Sequence, residues 1–284
     1  MNSTLHTPHS KLCIIAGGGG IPKLVVDACV AQGRSFFIVA LEGHADKELV
    51  AGCPHDWVRL GGAAKLADIL NREKFQELVM IGSVHKPSFA ALKPDWATVK
   101  YLARIGKAWT GEDSLLRAIA SIIEEDFKIK VIGVQDILGG LVLKKGCITK
   151  QSPDEASVKD IDLGIAVAKN IGRADIGQSV VIQDGIVLCV EAFEGTDEVI
   201  RRAGELKQKR NLDPDNKPRG VLVKTAKPQQ DSRLDLPTIG INTVNNVIEA
   251  GLSGIAIQAG KSLIIDIDSV RKLADEAGIF IVGV

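Results

Sequence analysis

Residues 224–240, KTAKPQQDSRLDLPTIG, gather Lys224, Lys227, Arg233, Asp231 and Asp235 around two prolines in an otherwise apolar half of the chain. A strand, GVLVKTA, is expected to deliver the two lysines into a loop. Asp231, Arg233 and Asp235 then follow two residues apart, a spacing that puts alternate side chains on one side of an extended segment. Cations that offset phosphate charge, beside carboxylates that hold a metal ion or take a proton from water, are what phosphoanhydride hydrolysis requires. The plain alternative is a solvated, proline-bounded loop of mixed charge. Upstream, Glu191, Glu194 and Asp197 lie where a strand is expected to meet a helix. Either Thr196 or Asp197 caps that helix, or these carboxylates face Asp231 and Asp235 and form an oxygen-ligand site suited to Mg²⁺ that keeps some of its waters.

A second group lies near the N-terminus. Gly17 to Gly20 follow the first apolar run and precede a helix beginning near Pro22, where glycine lets backbone amides approach an anion. The dinucleotide fingerprint GxGxxG is not met, because the sixth position from Gly17 is Pro22 and from Gly18 is Lys23. A tight turn without a ligand is the other reading. Lys86, in GSVHKP after a later strand, is placed where open α/β sheets bind phosphate or nucleotide.

Two motifs are set aside. Gly260-Lys261-Ser262 is out of register for a phosphate loop, since Gly254 stands one residue from the required position, and a hairpin turn between IAIQ and SLIID is expected there. Asp266 and Asp268 resemble a metal-binding DxD pair, but Asp268 is expected to cap the following helix. The five histidines give neither a Ser-His-Asp arrangement nor zinc-ligand spacing.

The elements that must position these groups read as α/β. Short apolar runs (LCIIA, FFIVAL, ELVMIG, KIKVIGV) alternate with helical stretches from Lys11 to about Ile137, which predicts a Rossmann-like parallel sheet. A helix is expected from Asp95 to Trp109. It sets Trp96, Val99, Leu102 and Ile105 at helical spacing among Lys100, Arg104 and Lys107, which fits either an ordinary packed helix or a basic membrane-surface helix. Residues 1–10 read as a disordered tail, 11–137 as the N-terminal domain and 142–284 as a C-terminal catalytic domain of mixed α/β character. In the second half Ser152 is a candidate cap, Asp184-Gly185 a hairpin turn, and the active-site cleft is expected between the two domains.

Composition bounds the partners. With 284 residues, two domains are the natural division. Thirty-five basic and 35 acidic residues leave no net charge to draw a nucleic acid. The five cysteines read as buried thiols of a reducing, cytoplasmic compartment, and no apolar run reaches the roughly 18 residues of a spanning helix.

The order of these motifs resembles a known family. AGGGGIP (16–22), GSVHKP (82–87), GEDSLLR (111–117), DIGQSVVIQDGIVLCVEAFEGTD (175–197), KTAKPQQDSRLDLPTIG and the terminal GIFIVGV are similar, in this order, to the UDP-2,3-diacylglucosamine diphosphatases of the LpxI type, from about Lys11 to Val284. One departure is Glu112, where the family pattern reads Gly-Asp-Asp. The resemblance implies hydrolysis of UDP-2,3-diacylglucosamine to UMP and 2,3-diacylglucosamine 1-phosphate (lipid X) in lipid A synthesis, with Mg²⁺ or Mn²⁺. It implies catalytic roles for Asp235, Lys224, Arg233 and Asp231. Substrate contacts would come from Gly18, Gly19, Ile21, Pro22, Lys86, Lys227, Gln230, Thr196 and Thr238, and metal contacts from Glu191, Asp197 and Asp235. A homodimer and peripheral contact with the inner membrane are compatible with it. The residues alone leave two other readings: a nucleotide-sugar or NAD(P)-dependent oxidoreductase, and a non-catalytic nucleotide-binding regulator.

Overall fold

The computed structural model describes residues 10–84, 92–106, 112–215 and 217–284. Lys86 and the Gly111 position lie outside these. The chain forms two compact units. One comprises residues up to Gly139 together with Asp231–Asp235, and the other Gly140–Gln230 with Leu236–Val284.

In the first unit the described elements are β1 (Leu12–Ala16), α1 (Ile21–Ala31), β2 (Phe36–Leu41), α2 (Lys47–Val50), β3 (His55–Val58), α3 (Ala63–Glu73), β4 (Glu77–Ile81), α4 (Trp96–Ile105), α5 (Glu112–Phe127), β5 (Lys130–Val131) and α6 (Val134–Ile137). The five strands pair in the order β3-β2-β1-β4-β5, all parallel. Every residue of β1 is buried, as expected for a strand covered on both faces. Strand order reverses at β1, so the loop after it opens at the switch point where such sheets bind ligands. Strand β3 and the short α2 have no clear apolar period and were not expected. Helix α4 begins with Asp95, whose carboxylate accepts from Thr98 N at 2.7 Å and from Ala64 N of α3 at 2.9 Å. Its described span closes at Gly106, with φ 56°, and residues 107–109 of the expected helix lie outside the described residues.

The second unit contains β6 (Gly146–Cys147), α7 (Glu155–Arg173), β7 (Ser179–Gln183), β8 (Ile186–Val190), α8 (Thr196–Arg210), β9 (Val221–Lys224), β10 (Thr238–Ile239), α9 (Ile241–Glu249), β11 (Gly254–Ile257), β12 (Leu263–Ile264), α10 (Ile267–Ala277) and β13 (Phe280–Gly283). Its six-stranded sheet, β6-β13-β11-β9-β7-β8, is mixed. β9, β11 and β13 are parallel, and β6, β7 and β8 join antiparallel. Side chains alternate across it. Val221 and Val223 share one core with Ile161 and Ala168 of α7, while Leu222 faces Val199, Ile200 and Val244 of α8 and α9.

Several local expectations are corrected. The cap of α7 is Asp154, which accepts from Ser157 N at 2.8 Å, and not Ser152. The cap of α10 is Asp266, while Asp268 lies in its first turn. Residues 260–262 do not turn a hairpin, because β11 pairs with β9 and β13 whereas β12 pairs with β10. Helix α8 starts from Gly195 with no side-chain cap, so neither Thr196 nor Asp197 plays that part. Of the cysteines, Cys13, Cys29 and Cys189 are buried, but Cys53 is partly exposed and Cys147 exposed. The Asp184-Gly185 hairpin is present, with φ of 51° and 76° at its two turn residues.

Candidate active site

Period-2 alternation places a polar residue at the end of each apolar strand on one face of the second sheet. Leu222 and Lys224, Val181 and Ser179, and Cys189 and Glu191 are each two residues apart, so each polar side chain shares the face of a core residue packed toward α8. Ladder register sets Lys224 opposite Ser179, and Glu191 N continues the ladder to Ser179 O at 2.9 Å. Thr196, the first residue of α8, completes the group. Its Oγ1 donates to Glu191 Oε1 at 2.9 Å and accepts from Lys224 Nζ at 3.0 Å, with Ser179 Oγ at 3.1 Å. Lys224 also donates to Thr238 O at 3.2 Å, and Glu191 accepts from Gln178 N at 3.0 Å. Lys224 and Glu191 are both buried. The arrangement puts an ammonium at the carboxyl end of β9, beside the uncapped N-terminus of a 15-residue helix, a setting that favours an anion.

The loop after β9 packs on the end of α7. Lys227 Nζ pairs with Asp175 at 2.7 Å, its backbone N donates to Gln230 Oε1 at 3.0 Å, and Gln229 donates to Gly172 O at 2.7 Å. Gln230 thus orders the loop through its side chain.

Asp231, Arg233 and Asp235 are counted with the first unit, whereas Lys224 and Lys227 belong to the second. They do not lie along an extended segment. Leu234 N and Asp235 N both donate to Asp231 O, at 2.9 and 3.3 Å, so residues 231–235 form a turn. The reason is local: Asp231 Oδ1 accepts from Arg233 N at 3.0 Å, offering the backbone a turn in place of a strand. The Arg233 guanidinium donates to both oxygens of Asp231, to Glu124 Oε1 at 2.8 Å and to Val131 O at 3.3 Å. Those hydrogen bonds hold the Asp231 carboxyl below the usual carboxylate range against the opposing effect of burial, with Arg117 adding a weaker attraction. Asp231 in turn raises the Arg233 pKa. Leu234 is buried in the first unit's core with Leu78 and Val131, and Asp235 beside it is exposed. Glu124 was not singled out in the sequence: it stands 109 residues from Arg233 in an ordinary helical pattern.

In the glycine loop, Gly17 is required by close approach, since a Cβ there would meet Ser83 O at 2.5 Å. Gly18 exchanges backbone bonds with Ser83, Pro22 is buried in the first turn of α1, and Ile21 is half-buried. Gly19, with φ 89°, and Gly20 are exposed with open space around them.

Glu191 and Asp197 do not make a ready metal cage. Glu191 is buried with each oxygen engaged by a protein donor, and the exposed Asp197 accepts from Asn246 at 3.0 Å in the favourable first turn of α8. Asp235 belongs to the other unit. Among the described residues no three His, Cys, Asp or Glu side chains gather as a metal site.

On α4, Trp96 and Val99 are exposed, but Arg104 is engaged by Glu125 and Asp126 of α5, which diverts one of the helix's cations from a membrane surface. Among the described residues no helix is long and apolar enough to cross a membrane.

Comparison with known proteins adds to this geometry. Residues 11–141 match the LpxI N-terminal domain and residues 144–282 the LpxI C-terminal domain. The UDP-2,3-diacylglucosamine pyrophosphatase LpxI of Caulobacter vibrioides is 39% identical over 282 residues, covering 96% of this chain and 97% of that protein. Among solved structures, the Bordetella bronchiseptica enzyme WbmG in complex with NAD and UDP aligns with a TM-score of 0.31 and 16% identity, over 44% of this chain and 37% of that one.

Proposed function

The chain belongs to the LpxI family and is a UDP-2,3-diacylglucosamine pyrophosphatase of lipid A biosynthesis, and we propose that Lys224 and Asp235 are the residues on which its hydrolysis turns. The observation that carries this reading is Lys224, a buried ammonium fixed at a strand end beside the N-terminus of α8. Such a group offsets charge on a diphosphate, and its fixed position spares reorganisation when that charge shifts in the transition state. Lys227, three residues on, is paired with Asp175 and orders the loop that follows β9. Asp235, exposed on a turn fixed by Asp231 and Arg233, orients the attacking water and takes its proton. Gly19 and Gly20, at the switch point of the first sheet, offer backbone amides to the nucleotide part of the substrate.

Water adds to the sugar-side phosphorus, the bond from that phosphorus to the bridging oxygen breaks, and UMP leaves with the bridging oxygen. The other product is 2,3-diacylglucosamine 1-phosphate. Mg²⁺, which takes ligands from one or two carboxylates and from substrate phosphates, would supply further charge neutralisation. Among the described residues no protein donors gather as its cage, and the steps assigned to Lys224 and Asp235 do not pass through it.

The test is incubation of the purified chain with UDP-2,3-diacylglucosamine and Mg²⁺. UMP and lipid X in equal amounts are expected. Binding without turnover would favour a nucleotide-binding regulator, and turnover that requires NAD(P) an oxidoreductase.

A further inference from the structure

We propose that Thr196 is a positioning residue that fixes the Lys224 ammonium, and that Glu191 anchors Thr196 in turn, so that neither contacts substrate or metal. The proposal rests on the reading that Lys224 acts on the diphosphate. A threonine hydroxyl has one proton and two acceptor sites. A carboxylate oxygen only accepts, so the proton of Thr196 goes to Glu191 Oε1 at 2.9 Å. An ammonium only donates, so Lys224 Nζ at 3.0 Å takes one acceptor site. Ser179 Oγ at 3.1 Å takes the other and is thereby set as the donor. The hydroxyl is saturated, with nothing left for a phosphate oxygen.

Glu191 is built in just as firmly. Its second oxygen accepts from Gln178 N at 3.0 Å, and the residue is buried. Gly177 lets it lie close: a Cβ there would stand 2.2 Å from Glu191 O and 2.9 Å from Glu191 Cβ. Burying an ammonium and a carboxylate is tolerable when the two are linked and their hydrogen bonds are met. Here the link runs through one hydroxyl, and the same link sets the direction of the Lys224 side chain. Displacement of a catalytic group by about 1 Å costs on the order of 10²-fold in rate, which is the scale of effect a positioning residue has.

The experiment compares Thr196→Val, Thr196→Ser, Glu191→Gln, Lys224→Ala and the Thr196→Val/Lys224→Ala double variant, each checked for folding by thermal melting, for kcat and KM on UDP-2,3-diacylglucosamine. Thr196→Val is expected to lower kcat about 10- to 100-fold with KM within about 3-fold. Thr196→Ser should recover most of that loss. Adding Thr196→Val to Lys224→Ala should lower turnover no further. A raised KM at unchanged kcat, a Ser variant as impaired as Val, or full activity in a folded Thr196→Val protein would each overturn the proposal. If Thr196→Val does not fold, Glu191→Gln decides: lowered kcat at steady KM supports the link, and full kcat refutes it. Wild-type turnover in Lys224→Ala would instead sink the assignment of Lys224 and the positioning role with it.

Discussion

Arg233 Nη1 donates to Glu124 Oε1 at 2.8 Å, joining the turn at residues 231–235 to helix α5. The same guanidinium binds Asp231, so one cation is matched by two carboxylates. Its work is to hold the turn that carries the exposed Asp235.

The fork geometry of Arg233 is therefore expected to matter more than its charge. Arg233→Lys keeps the charge but cannot span Asp231, Glu124 and Val131 O together. Both Arg233→Lys and Arg233→Ala should lower stability by about 1 kcal/mol, discounted for the partial exposure of the side chain, as measured by the urea midpoint. Full activity and unchanged stability in the lysine variant would show that charge alone suffices.

The turn should also weaken in acid. Hydrogen bonds from Arg233 lower the folded-state pKa of Asp231 below its unfolded value of about 3.9. A lowered carboxyl stabilises the fold fully above the unfolded value, and that contribution is lost as pH falls through the folded one. Between pH 5 and pH 2 the wild type should lose more stability than Asp231→Asn, and parallel curves would contradict the linkage.

Asp235→Ala should leave both units folded, because the side chain is exposed and the turn is held by its neighbours. Turnover should fall on the order of 10²- to 10⁴-fold, as for loss of a general base. Near-normal turnover in the folded variant would move the search for the base to other carboxylates, Asp197 first among them.

Much of this was legible in the sequence, for reasons that particular residues show. LCIIA, FFIVAL and, after Glu77, LVMI are apolar because their sheet is parallel and covered on both faces, so strand and crossover could be read directly. Lys224 stood out because a charged residue ends an apolar strand. The turn at residues 231–235 was misread as extended, because the 2-residue spacing of its charges mimics a strand while the Asp231 side chain bends the backbone locally. The hydroxyl link from Lys224 to Glu191 joins residues 28 and 5 positions from Thr196 and depends on ladder register, which no local pattern encodes. Glu124 was illegible for the same reason at longer range.

Dependence on a divalent ion is expected to enter with the substrate, since Glu191 and Asp197 are engaged by protein donors. EDTA should abolish turnover and Mg²⁺ or Mn²⁺ restore it, while the melting temperature of the substrate-free protein stays unchanged under both treatments. A large shift in melting temperature with Mg²⁺ alone would reveal a preformed site in the protein.

The central claim is that water attacks the sugar-side phosphorus of UDP-2,3-diacylglucosamine with the help of Lys224 and Asp235. Hydrolysis in ¹⁸O-enriched water, with mass spectrometry of both products, tests it most directly. The label is expected in the phosphate of lipid X, with none in UMP. Label in UMP instead would contradict the account.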